Sequence, residues 1–147
     1  MSNYKNNFTA ASNTIIYIGK YQPRKVLEYN YNFNLAIDKE NQPCGIIRGG
    51  KLTVKMDAIT KGENDNELLG WMLGRKKQNV AIVVCKPEAP AKTEMKVLEF
   101  KDAFCIDYKE NWKDLKESKG DSANTEEIQI TWKEFSWGNV NYKNCWY

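Results

Sequence analysis

Alternation of apolar and polar residues dominates the chain and predicts a protein made mostly of β-strands. The clearest run is Val26–Ile37, where tyrosines, Phe33, Leu35 and Ile37 fall on one face and asparagines on the other. A period of two is typical of a strand with one buried face. Further runs predict strands at Thr14–Ile18, Lys51–Asp57, Gln78–Lys86 and Glu126–Trp137, and a long strand at Glu94–Tyr108 with a β-bulge near Leu98.

One stretch breaks this period and predicts a helix. In NDNELLGWMLGRKK, apolar residues recur at helical spacing, and Asn64 followed by Glu67 matches a capping box. Gly74 suits the position just after the last helical residue, and Arg75–Lys77 would face the negative end of the helix dipole. We predict one short helix of about three turns.

The order of these elements predicts the architecture. Strands that follow one another through short turns favour antiparallel pairing, and one helix cannot cover both faces of such a sheet. A sheet curled into a barrel solves that problem. We therefore predict an all-β fold, an antiparallel β-barrel of two sheets with one short flanking α-helix. Residues 14–147 would form this single domain, and the polar residues 1–13 a flexible N-terminal arm.

Two adjacent glycines, Gly49 and Gly50, precede a strand in the segment CGIIRGGKLTVKMDA. Glycine weakens a strand, so the pair forms either a tight hairpin turn or a bend that another part of the backbone approaches closely. A hairpin turn would leave only GIIR to pair back. We expect a bend or bulge at a barrel corner, from which the loop Asp38–Arg48 projects.

Composition excludes several kinds of site. The net charge of +3 is too small to require nucleic acid or a membrane surface as a partner. Histidine is absent, which excludes Ser-His-Asp triads, Cys-His nucleophiles and His-ligated metals. The sequence contains no C-x-x-C pair, no recognisable signal peptide and no stretch long enough to span a membrane. We therefore expect a cytosolic protein whose cysteines are reduced and serve as packing residues. We expect neither a metal nor a cofactor. The cysteines are Cys44, Cys85, Cys105 and Cys145.

The remaining polar candidates do not form a catalytic constellation. Arg75–Lys77 could bind phosphate, but cations at a helix C-terminus explain them more simply. Asp102 and Asp107 could be an acid–base pair, but a solvated strand face accounts for both. The sequence predicts no enzyme activity.

Aromatic residues crowd the end of the chain, and their role stays open between barrel core and subunit interface. Tryptophan and tyrosine are preferred interface anchors. Stacking on single-stranded nucleic acid is less favoured, because the cationic groove it needs is missing. The residues are Trp132, Phe135, Trp137, Tyr142, Trp146 and Tyr147.

Four segments in order resemble one protein family. LEYNYNFNLAIDKENQPCGIIRGGKLTVKM is similar to the aromatic strand, Pro-containing loop and RGG strand start of Bacteroidetes-type tube proteins of type VI secretion systems, the haemolysin-coregulated (Hcp, TssD) family. ELLGWMLGRKKQNVAIVV resembles that family's short helix and next strand. MKVLEFKDAFCIDYKENW and EEIQITWKEFSWGN resemble two later strands.

The resemblance implies an Hcp-like barrel that forms homohexameric rings, stacked into the inner tube that delivers effectors. It implies as partners further copies of the chain and the sheath, spike and effector proteins, without nucleic acid or membrane insertion. It also implies a cytoplasmic protein before firing, secreted through the apparatus without a signal peptide. The alternative is a small β-barrel binding module for a small molecule or single-stranded nucleic acid.

Our candidate residues for a subunit or ring interface lie in two places. Isoleucines in the loop would be apolar anchors, and Arg48 would donate hydrogen bonds to a neighbour. A solvated loop is the alternative. The candidates are Ile46, Ile47, Arg48, Gly49, Gly50, Trp146 and Tyr147.

Overall fold

The computed structural model describes residues 13–58, 65–87, 93–114, 124–144 and 146. The predicted N-terminal arm, apart from Asn13, lies outside these residues. The described elements are β1 (Asn13–Ile18), β2 (Arg24–Asn30), β3 (Phe33–Ile37), β4 (Pro43–Gly49), β5 (Leu52–Asp57), α1 (Glu67–Gly74), β6 (Gln78–Pro87), β7 (Thr93–Trp112), β8 (Asn124–Thr131), β9 (Glu134–Trp137) and β10 (Val140–Lys143).

Six strands close into an antiparallel barrel in the order β7, β6, β1, β2, β5, β8, with β8 pairing back to β7. Closure is possible because β7 is 20 residues long, so its first part pairs with β6 and its second part with β8. Strands β9 and β10 extend the sheet beyond β7, while β3 and β4 form a separate two-stranded sheet. The predicted antiparallel β-barrel with one short helix is confirmed.

The bend in β7 lies at Asp102, and the prediction of a bulge near Leu98 is wrong. Gln78 pairs with Ala103 while Val80 pairs with Phe100, which leaves one extra residue in β7. Asp102 takes the left-handed conformation with φ of 52°, and its N–H donates to the Asn79 side chain at 3.2 Å. Residues 97 and 98 are both apolar, which in the sequence resembles a shift in the alternation of buried and exposed side chains. In the structure that shift comes after Phe100.

Helix α1 packs against β7 and places Trp71 in the barrel core, where the ring is fully buried and its Nε1 donates to the Lys76 carbonyl at 2.7 Å. Asn64 lies outside the described residues. Asn66 occupies the N-cap without a side-chain cap bond, so the predicted capping box is wrong. Gly74 ends the helix, and Arg75 instead takes the left-handed position with φ of 54°.

Two long predicted strands are each divided in the structure. Val26–Ile37 breaks after Asn30, because β2 stays in the barrel while β3 leaves it to pair with β4. Glu126–Trp137 breaks after Thr131, since β8 pairs with β5 whereas β9 turns to pair with the earlier part of β7. The strand predicted at Glu94–Tyr108 also ends too early, because β7 continues to Trp112.

One buried ion pair joins β2 and β8, the two strands that flank β5 in the barrel. The Arg24 guanidinium of β2 contacts the Glu126 carboxylate of β8, and both side chains are almost fully buried. Arg24 also donates to the Asp57 carbonyl at 2.9 Å, and the Tyr108 hydroxyl donates to Glu126. Burial and the hydrogen bond to Glu126 raise the pKa of Tyr108 well above its ordinary value.

We expect Glu126→Gln to destabilise the barrel by about 3 kcal/mol, because it leaves the Arg24 charge buried without a counter-charge. Chemical denaturation would measure this loss. The matched control is Lys143→Gln, which removes an exposed partner of Glu134 and should cost less than about 1 kcal/mol. Equal effects of the two substitutions would contradict the assigned role of the buried pair.

Candidate assembly surface

Strands β3 and β4 form a hairpin, Phe33–Gly49, that lies outside the barrel sheet and is called here the projecting hairpin. Its turn is closed by Asp38, whose carboxylate accepts the N–H of Glu40 at 2.9 Å and of Gln42 at 3.0 Å. The loop predicted at Asp38–Arg48 is therefore wrong from Pro43 onward, because β4 begins at that residue. The hairpin is an ordered element with a defined tip.

The projecting hairpin exposes four large apolar side chains. Isolated two-stranded hairpins are only marginally stable in water, and large exposed apolar patches mark interaction surfaces. The exposed fractions are 38% for Leu35, 60% for Ile37, 57% for Ile46 and 48% for Ile47. The sequence-based candidates Ile46 and Ile47 thus lie on the surface, together with the equally exposed Arg48.

The root of the hairpin is fixed to the end of the chain. The Tyr142 hydroxyl donates to the Ile47 carbonyl, and the Gly49 N–H donates to the Asn144 side-chain oxygen at 3.3 Å. The Asn144 amide donates in turn to the Trp132 carbonyl at 2.8 Å. The Phe33 ring lies 5.2 Å from the rings of Phe135 and Tyr142, so aromatic packing supports the same joint.

The two glycines permit this close approach. A Cβ on Gly49 would lie 3.0 Å from the Trp132 ring, and one on Gly50 would lie 1.6 Å from the Asn32 side-chain oxygen. Gly50 also donates its N–H to the Asn32 carbonyl at 2.7 Å. Of the two roles considered for the glycines, close backbone approach is the one observed.

Trp146 separates two grooves beside this joint. It is 39% exposed, and its ring lies 6.0 Å from that of Phe104. The root groove, about 540 Å³, is lined by Ile46, Arg48, Gly49, Gly50, Thr131, Trp132, Tyr142, Asn144 and Trp146. The helix-side groove, about 560 Å³, is lined by Met72, Arg75, Phe104, Cys105, Ile106, Thr131 and Trp146. Five of the seven candidate residues therefore line the root groove. Ile47 is exposed on β4 without lining the groove, and Tyr147 lies outside the described residues.

The terminal aromatics divide between core and surface. Trp132 and Phe135 are buried, whereas Trp137 is exposed and carries Lys96 over its ring at 3.9 Å. Sequence reasoning missed the anchoring role of Tyr142 and Asn144. The Gly-Asn pair at residues 138–139, with φ of 60° at Gly138, was the available signal, because it marks a hairpin that returns β10 toward the joint.

The other polar candidates form no common site. The expectation that all cysteines are packing residues is wrong for Cys44, which is exposed on β4. Burial raises the pKa of the Cys105 thiol to about 11. Among the residues that the structure describes, no three metal-ligating side chains cluster, and no helix has the length and apolarity needed to cross a bilayer.

Comparison with known proteins identifies the family. A family model described as "Hemolysin coregulated protein Hcp (TssD)" matches residues 6–147. The structure of Hcp1 from Flavobacterium johnsoniae aligns with a TM-score of 0.74 and 23% identity over 90% of this chain and 99% of that one. The structure of Hcp1 from the E. coli EAEC 042 pathovar aligns with a TM-score of 0.68 and 9% identity, over 93% of this chain and 100% of that one. No curated protein matches the chain.

A more distant structure has the same fold. A chain of the anti-feeding prophage baseplate aligns with a TM-score of 0.52 and 7% identity, over 93% of this chain and 97% of that one. At these identities the solved structures show the fold alone, whereas the family model covers nearly the whole sequence. The chain belongs to the Hcp (TssD) family. It is a structural tube subunit of a type VI secretion system and not an enzyme.

We expect Tyr142→Phe combined with Asn144→Ala to loosen the projecting hairpin while leaving the barrel folded, because the two hydrogen bonds that anchor the hairpin root are lost. Amide hydrogen exchange in residues 33–49 should accelerate, with little change in the barrel strands. Asn141→Ala is the matched control, since its amide bonds only within the β9–β10 turn. Unchanged exchange in the hairpin would show that the joint depends on other contacts.

Proposed function

We propose that the projecting hairpin is an assembly element of this tube subunit, joining copies within homohexameric rings or between stacked rings. The observation that carries the proposal is the set of four apolar side chains exposed on a hairpin whose tip and root are both fixed. A surface that is ordered before binding loses less entropy when it is covered. Ile46 and Ile47 are the apolar anchors of the contact.

The surface of the hairpin differs from that of the grooves beside it, so contact between copies is heterologous. A heterologous contact closes into a ring or continues as a filament, and a tube of stacked rings needs both outcomes from one barrel. Arg48 lies beside the isoleucines, exposed, and its planar guanidinium suits a neighbour's carboxylate or carbonyl groups. Trp146 and Tyr147 complete the proposed interface.

The further partners are the sheath, spike and effector proteins of the secretion apparatus. Family membership supports this, since Hcp proteins form rings and tubes and are secreted components of type VI systems. The subunit is held in the cytoplasm before firing and leaves through the apparatus without a signal peptide. It neither binds nucleic acid nor inserts into a membrane.

A small-molecule-binding barrel is the less favoured function. Such a protein needs an open apolar cavity inside the barrel. In the described residues, the interior is instead filled by large, fully buried side chains such as Trp71, Trp132 and Phe100. Several large apolar side chains instead lie exposed on the described surface, and four of them are on the hairpin, which favours assembly.

Replacing Ile46 and Ile47 together by serine should weaken ring formation and leave the monomer folded, because both side chains lie outside the core. Native mass spectrometry would measure the ring fraction, and circular dichroism the fold. Leu27→Ser is the control, since it removes an exposed apolar residue of β2, away from the hairpin. A wild-type ring and tube distribution in the double variant would show that the hairpin is not an assembly element.

The Cys44 thiol tests the same proposal without any substitution in the hairpin, because its rate of alkylation reports whether β4 is accessible. We expect iodoacetamide to alkylate Cys44 quickly in free subunits and slowly in rings, because assembly would cover β4. Peptide mass spectrometry above and below the assembly concentration would measure both rates. Cys105 is the internal control, since its raised pKa keeps the thiolate scarce at pH 8. Equal rates for Cys44 in both states would place the hairpin outside the interface.

A further inference from the structure

The cations that follow α1 have no structural partner that explains them. The helix has no basic residue in its last turn, and Arg75 follows it in the left-handed conformation, using its backbone N–H to cap the Trp71 carbonyl at 3.2 Å. Among the described residues, no carboxylate forms a salt bridge with Arg75, Lys76 or Lys77, and all three are exposed. Their charge is therefore available to a partner.

The helix-side groove joins this charge to an apolar surface. Arg75 lines its rim, while Met72, Phe104 and Ile106 supply apolar walls and Trp146 closes the side toward the root groove. The volume of about 560 Å³ is within the range of binding clefts in proteins. A complementary occupant needs an exposed apolar side chain and, within the same turn, a carboxylate.

The tip of the projecting hairpin has this combination. Ile37 is 60% exposed, and the carboxylate of Glu40 lies three residues later in the turn. Asp38 holds the turn through its own carboxylate, so the presentation of Glu40 is fixed by backbone hydrogen bonds. The tip carries two carboxylates, Asp38 and Glu40, against one cation, Lys39, whereas the groove lining carries Arg75. Opposite net charges favour their encounter and fix its orientation.

We propose that the helix-side groove of one subunit receives the hairpin tip of a second copy, with Ile37 between the apolar walls and Glu40 paired with Arg75. This inference rests on the proposed role of the hairpin and adds the surface that receives it. The groove is bounded by Trp146, which also lines the groove at the subunit's own hairpin root. Each subunit thus receives one hairpin beside the root of its own, and the contact repeats head to tail.

Charge reversal with compensation tests the pairing. Arg75→Glu and Glu40→Arg should each raise the midpoint concentration of assembly about tenfold, because like charges then meet in a partly desolvated contact. The combined variant should return to near the wild-type midpoint. Sedimentation velocity across a concentration series would measure all three. Lys76→Glu is the control, since it makes the same charge change beside the groove without lining it.

The outcomes separate this inference from the proposed function. Normal assembly of Arg75→Glu, or an equal effect of Lys76→Glu, would overturn the pairing and leave the role of the hairpin intact. A wild-type protein that stays monomeric at all concentrations would instead remove the proposed function itself. Failure of the combined variant to recover would also count against the pairing, provided that circular dichroism shows a folded barrel.

Mixing two cysteine variants tests contact directly. Glu40→Cys and Arg75→Cys, each in a Cys44→Ser, Cys145→Ser background, would be combined and oxidised. A covalent dimer that contains one of each variant is expected, because the two positions would meet only between copies. Each variant oxidised alone is the control for non-specific disulfides. Dimers that form equally well in the controls would overturn the proposed contact.

Discussion

The close approach of Gly49 and Gly50 to Trp132 and Asn32 is the constraint on which the rest of the surface depends. The chain must leave the barrel after β2, form a hairpin and return to β5 through this point. A Cβ at Gly50 would displace the exposed Asn32 side chain and lie 3.1 Å from the Asn32 carbonyl oxygen, and a Cβ at Gly49 would lie 3.0 Å from the indole of the core residue Trp132. Two glycines cost backbone conformational entropy on folding, but because they have no side chains the hairpin root can lie directly on the barrel.

Two kinds of interaction hold the molecule, and they act at different places. The barrel is held by closure of β7 on β8, by buried apolar side chains and by the ion pair of Arg24 with Glu126. The hairpin depends on the hydrogen bond that Tyr142 donates to Ile47 and on the one that Asn144 accepts from Gly49. Because the second set is small and partly exposed, the hairpin can change its contacts without disturbing the core.

Sequence periodicity predicted the strands that pair within the barrel, since alternation reports directly which face of a strand is buried. Periodicity failed where two halves of one alternating run pair with different strands. Val26–Ile37 alternates without interruption, yet its first half faces the barrel and its second half belongs to the hairpin. Nothing in a period of two marks that division. Likewise, Ile46 and Ile47 became interface candidates because they fall in a loop predicted to project from the barrel. The Gly-Asn pair at residues 138–139 indicated only a turn, and the anchoring by Tyr142 and Asn144 follows from a fold that brings together residues 95 positions apart.

The separation of core from surface explains how one barrel serves as a repeated tube subunit. A monomer needs only the buried set, and the apolar residues left on the hairpin would be a liability if no partner covered them. Fixing their geometry through the chain end gives the hairpin one orientation relative to the barrel, which a directed contact between copies requires. The same chain end supplies Trp146 at the border of the two grooves. Residues 140–144 and 146 therefore hold the hairpin root and border both grooves, and the relative orientation of these surfaces follows from the fold of a single subunit.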